Sequence, residues 1–259
     1  MIIINNLVQS KDLLWAWTER TVRARYQQSA LGGLWIILQP LATVVIFSVI
    51  FTYFVPVDTG DIPYPVFSYI AITPWMLFAN SLNDMADSIV GNMQLVTKIY
   101  FPREILPIAS MLARLLDFFV AFGLLIVLML LFRVTFFPLG LLFLPLIVLI
   151  QLALIIGVGM ILAAANVFYR DVRSLLALGI QLWFYASPII YPVTMVPEQF
   201  RPIYNLNPMT GIIEAYRAVL LYQTLPPPSI YISAVISALV LVFGYMLFKR
   251  AEFLFADIV

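Results

Sequence analysis

The 259-residue chain has no cysteine and no histidine. Without thiols there can be no disulfide and no thiolate nucleophile. Without imidazole the commonest metal ligand and the usual acid–base group at neutral pH are both missing. Charge is scarce: 10% of residues are ionic, against about 25% in soluble domains. Fourteen basic and thirteen acidic residues leave a net charge of +1, not the basic stripe of a nucleic-acid-binding protein. No G-x-x-x-x-G-K-[ST] run occurs, so the chain lacks that phosphate loop for ATP. With so few carboxylates a hydrolase or metalloenzyme site is not expected, and no row of carboxylates suggests a proton relay.

What is present is apolar: 63% of residues are hydrophobic and 15% aromatic. A water-soluble fold of this size could not bury so much. Residues 30–54 form an uncharged run near the ~20 residues that cross a bilayer. Arg20, Arg23 and Arg25 precede it and favour the cytoplasmic side. The pattern predicts an all-α membrane protein, one transmembrane domain over 1–259, with spans at 34–54, 66–82, 105–132, 141–167, 175–191 and 230–248. Ten of the 14 basic residues fall in the inward segments this implies, with both termini cytoplasmic.

An interfacial helix is expected over 10–28, capped by Ser10, with Leu14, Trp17 and Ala24 on one face and Glu19–Arg23 paired on another. The stretch 192–228 is too apolar for a solvated loop and too proline-rich for a span. It predicts a pair of short helices re-entering the outer leaflet.

Arg114 and Asp117, at i,i+3 in the third span, read as a neutralising structural pair, as do Glu214 and Arg217. Trp35, Gln39, Thr43, Phe47 and Phe51 recur every fourth residue in the first span. Gln181, Tyr185, Ser187 and Tyr191 bring polar and aromatic groups to the fifth. Such a mixture suits a passing sugar chain, with rings stacking on pyranose faces and polar tips exchanging hydrogen bonds. Helix–helix packing is the competing reading for each. Gly157, Gly159 and Ala163 suggest close helix contact through small residues.

The run Arg25-Tyr-Gln-Gln-Ser-Ala-Leu-Gly-Gly-Leu-Trp-Ile-Ile-Leu-Gln-Pro-Leu resembles the opening of ABC-2 type permeases that export polysaccharides. Tyr100-Phe-Pro-Arg-Glu, Asn166-Val-Phe-Tyr-Arg-Asp-Val, and Asn207-Pro-Met-Thr with Glu214-Ala-Tyr-Arg217 resemble its later landmarks in order. The resemblance implies a homodimeric exporter half, paired with two copies of a separate ABC ATPase that carries ATP and Mg. It implies no metal, cofactor or catalytic residue on this chain. The substrate would be a lipid-linked polysaccharide such as O-antigen, capsule or teichoic acid, leaving through the plasma (inner) membrane. It also implies ATPase-docking roles for Trp17, Arg20, Arg23, Asp84, Asp87, Asn92 and Lys98, and a cytoplasmic entrance at Arg170 and Asp171. The nine aromatic and polar residues of spans one and five would line the channel. Export of a small hydrophobic compound and ATP-independent flipping are the alternatives.

Overall fold

The computed structural model describes residues 10–27, 29, 31–60, 62–135 and 137–255. Gln28, expected to end the interfacial helix, and both extreme termini lie outside the described residues. All regular structure among those residues is helical.

Helix α1 (Lys11–Tyr26) leads through the 3-10 turn Gly32–Leu34 into α2 (Trp35–Val49), which continues as a π-helical turn over Ile50–Phe54. Gly32 sits at φ +50° with open space around it, so the turn needs its left-handed backbone and no particular packing. Then follow α3 (Tyr64–Asp87), the short α4 (Met93–Lys98), α5 (Ile105–Leu131), the single turn α6 (Pro138–Leu141) and α7 (Leu144–Phe168). The chain closes with α8 (Val172–Tyr185), the turn α9 (Arg201–Tyr204), α10 (Pro208–Leu220) and α11 (Ser229–Ala251).

Among the described residues, four segments are long and apolar enough to cross a membrane: Gly32–Phe54, Ile105–Leu131, Pro138–Phe168 and Ser229–Leu254. The shortest, 23 residues, rises about 34 Å, against a hydrocarbon core of ~30 Å. Two of the six expected spans depart from this pattern. The second, placed at 66–82, is the longer helix α3, which is not among the four. It is buried along most of its length, from Val66 to Ala86, and packs on α2, α5, α7 and α10. A helix sheathed by protein does not need the apolarity that lipid demands, and Ser68 and Thr73 return their hydroxyls to the carbonyls of Tyr64 and Tyr69. The fifth, placed at 175–191, ends as a helix at Tyr185 and is only 14 residues long.

The outer stretch 192–228 also differs from a pair of short helices. It holds brief turns at Val193–Met195, Glu198–Phe200 and α9, then one buried 13-residue helix, α10. Asn207 begins that helix by accepting the Met209 N–H at 3.0 Å. Helix α1 forms, but Ser10 makes no side-chain cap and Ala24 faces outward. Its inner face carries Leu14, Trp17 and the buried Thr18, and packs on α5.

Helices α7 and α11 form the closest contact in the fold. A methyl group on Gly157 would lie 2.6 Å from the Leu241 amide nitrogen, and one on Gly244 would fall on the Gly157 carbonyl. Small residues let the two backbones meet where no hydrophobic effect can draw helices together. Gly159 likewise admits the Met85 side chain, and Ala163 is fully buried. Gly244→Leu is expected to cost at least the ~1–3 kcal/mol usual for overpacking. Gly123→Leu, into open space on α5, should leave stability unchanged. The temperature at which purified protein loses its monodisperse elution peak distinguishes the two.

Candidate functional site

Helices α1, α3 and α5 converge on four charges. Arg25 donates to Asp117 at 2.6 Å and to Asp84 at 2.7 Å. Arg114 grips Asp84 with two prongs at 2.7 and 3.0 Å and reaches Asp117 at 3.3 Å. Tyr26 donates its hydroxyl to Asp117 at 2.8 Å. Burial, then the Asp117 carboxylate, push the Tyr26 hydroxyl above its ordinary pKa, so it remains a proton donor. Two guanidiniums and two carboxylates cancel.

The expected pairing of Arg114 with Asp117 is therefore the weaker half of its contacts. Its main partner is Asp84, an expected ATPase-docking residue, which pairs with Arg114 and Arg25 while one-quarter of its side chain stays exposed. Arg25 was read only as a topology signal, yet it joins the two acids.

Beside the cluster lies a cavity of about 250 Å³ bounded by α1, α2, α3 and α5. Trp35, Gln39, Asn80 and Phe118 line it together with Arg25 and Asp117. Two of the residues proposed to meet substrate, Trp35 and Gln39, are thus also exposed on α2.

The other expected channel residues divide. Gln181 and Tyr185 are exposed on α8, and Thr43 is half-buried on α2. Phe47 and Phe51 instead pack inward: Phe47 lies 6.1 Å from Phe184, and Phe51 stacks on Tyr64 at 5.7 Å. Phe184 and Trp183 continue this seam to Trp75 and Phe78 at 5.6 and 4.9 Å. Ser187 is fully buried, donating to the Trp183 carbonyl and accepting from Asn207. It therefore lines no channel within this chain. Tyr191 is half-buried, bonding the Tyr185 carbonyl and the Tyr204 hydroxyl.

Arg217 is fully buried on α10. It bonds Glu214 at 3.0 Å and the Ile189 carbonyl at 2.9 Å, with its guanidinium 3.8 Å over the Phe67 ring. With Tyr64 donating to the Ile190 carbonyl, it fixes the turn that ends α8. Gln151 was missed by sequence reasoning. It donates to the Pro74 carbonyl and accepts from Tyr216, joining α3, α7 and α10. A lone glutamine in a long apolar run was the available signal.

At the α4 end, Arg20 lies over the Trp17 ring and reaches Asn92 at 3.5 Å. Arg23 pairs with Glu19. Lys98 is exposed, as are Arg170 and Asp171. Asp87 meets Arg173 at 3.2 Å and Asn166 at 3.4 Å, tying α3 to α8 and α7. No metal-holding group of three occurs among the described residues.

Long apolar helices packed around a hydrophobic core define a multi-pass membrane protein. The chain belongs to the ABC-2 type transporter family, whose model matches residues 12–221. It is 31% identical over 253 residues to an O-antigen export system permease protein, RfbA, of Klebsiella pneumoniae, covering 98% of this chain and 97% of that one. It is 30% identical over 233 residues to RfbA of Myxococcus xanthus, covering 86% of each. Identity to the polysialic acid transport protein KpsM of Escherichia coli is 27% over 208 residues, covering 76% and 77%.

Asp84→Asn is expected to destabilise the protein by roughly 1–3 kcal/mol. That is less than the 3–5 of a fully buried broken pair, because the acid is one-quarter exposed. Asp87→Asn, at an exposed pair, should stay within about 1 kcal/mol. Thermal denaturation of both variants in the same detergent tests the ranking.

Proposed function

We propose that this chain is the permease subunit of an ABC exporter that moves a lipid-linked polysaccharide outward across the bacterial plasma membrane. The observation that carries this is the end-to-end match to permeases whose names specify O-antigen export. The exposed Trp35, Gln39, Gln181 and Tyr185 support it, because they present rings and amides together. A separate ATPase with ATP and Mg supplies the energy, in keeping with the missing phosphate loop.

In this reading the chain crosses six times, through α2, α3, α5, α6–α7, α8 and α11, with both termini cytoplasmic. Helix α8 rises only about 21 Å, so the turn after it and α10 complete its depth as a re-entrant region. Such a region is tolerable because α10 is enclosed by protein. Two protomers pair so that the α2 and α8 faces enclose the path. The ATPase docks on α1 and on the segment from Asp87 to Lys98, using Trp17, Arg20, Arg23 and Asn92. Arg170 and Asp171 flank the cytoplasmic mouth. Closure of the ATPase pair displaces α1 and α4, and the Arg25 bridges carry that displacement to α3 and α5.

Co-purification with the ATPase, followed by hydrolysis assays with lipid-linked glycans, tests the reading. Stimulation by glycan is expected, with no translocation by the permease alone. Translocation without the ATPase would overturn it. Trp35→Ala and Tyr185→Ala should each reduce export about tenfold or more, corresponding to ~1.4 kcal/mol of lost interaction, while ATPase binding persists. Normal export by both would remove the α2 and α8 faces from the path.

A further inference from the structure

The cavity beside the charge cluster has hydrogen-bonding capacity that the protein does not use. The Gln39 and Asn80 side chains line it and form no hydrogen bond among the described residues. Arg25 spends two of its five N–H donors, on Asp84 and Asp117. Asp117 accepts three bonds, from Arg25, Arg114 and Tyr26, leaving about one of its four acceptor sites. The Trp35 indole and the Phe118 ring line the same cavity.

Size and charge narrow the ligand. At about 250 Å³ the cavity falls just below the ~300–1,000 Å³ of sites for drug-sized molecules. It is too small for a disaccharide or a lipid tail. The two guanidiniums are matched by two carboxylates, so no surplus positive charge calls for a phosphate. Neutral vicinal hydroxyls meet an amide, a guanidinium and a carboxylate equally well, and the apolar face of the ring meets indole. The mouth opens onto the α2 face, because Trp35, 53% exposed, belongs to both.

We propose that this cavity is a subsite within each protomer for a single pyranose ring, opening at the α2 face onto the path between protomers. Gln39 and Asn80 bond its hydroxyls, Trp35 stacks on it, and Arg25 and Asp117 close its far end. The proposal rests on the glycan-export reading for its source of sugar. It gives the cluster a second role, since a ring lodged there touches the same Arg25 that positions α1.

The chain has no cysteine, so Met76→Cys, at a lining position given no contact with the sugar, creates a unique thiol in the cavity. Gly179→Cys, in open space on α8, serves as control. The labelling rate of each by a small maleimide is measured on the permease–ATPase complex, with and without methyl glycosides of common hexoses, deoxyhexoses and N-acetylhexosamines. At twice its Kd an occupying glycoside slows labelling about threefold, and this is expected for Met76→Cys alone. Absence of slowing by every glycoside overturns the subsite, as does equal slowing at both positions. Slowing by undecaprenyl phosphate but by no glycoside also overturns it, since the site would then take a lipid phosphate. Ile36→Cys, a second lining position, repeats the measurement should Met76→Cys not fold. Glycan-stimulated hydrolysis by the cysteine-free complex is read in parallel. Stimulation without protection removes the subsite and keeps the export reading, whereas protection without stimulation does the reverse.

Discussion

The double bridge from Arg25 to Asp84 and Asp117 decides where α1 rests on the membrane-spanning helices. Remove it and α1 is held to α5 by a thin apolar face, because only Leu14, Trp17 and their inner neighbours point inward. Much of the architecture on that side follows from one guanidinium with two partners on different helices.

The same constraint recurs through the fold. Inside a bilayer a polar group must find its partner within the protein, and here those partners lie on other elements. Gln151 joins three helices. Asn207 holds Trp183, Ser187 and the start of α10 together. Lys249 reaches from α11 to the buried Glu104 ahead of α5. Apolar packing alone discriminates poorly among helix arrangements in lipid, since tails are as apolar as leucine. The sparse polar residues select one arrangement.

That division explains what could be read from the chain. Long uncharged runs and the arginines flanking them are local, and they gave away α2, α5, α7 and α11. Pairs at i,i+3 or i,i+4 are also local, so Glu19–Arg23 and Glu214–Arg217 were visible in advance. Asp84 and Arg114 are thirty residues apart, and no periodicity links them. Burial was harder still: Ser187 and Tyr185 sit two residues apart, yet one is enclosed and the other exposed. Once α8 ends at Tyr185, helical spacing no longer tells where Ser187 points. Helix α3 was legible too, as the span at 66–82, but its full length was not, since protein around it permits a composition that lipid would not.

The two charge centres differ in their access to water, and this gives the molecule a stiff end and a yielding one. Arg217 has no exposed surface, and Glu214 is its only carboxylate partner among the described residues. Separating them would strand a guanidinium in a medium that cannot solvate it, a loss of about 3–5 kcal/mol. The four charges near α1 retain 15–25% of their side-chain exposure. Water can replace a broken bridge there, so parting Arg25 from its acids costs less. The turn after α8 is thus the fixed end, and any force applied to α1 is relieved first at the Arg25 cluster. The cavity beside that cluster changes shape whenever α1 moves, because Arg25 and Tyr26 form one of its walls.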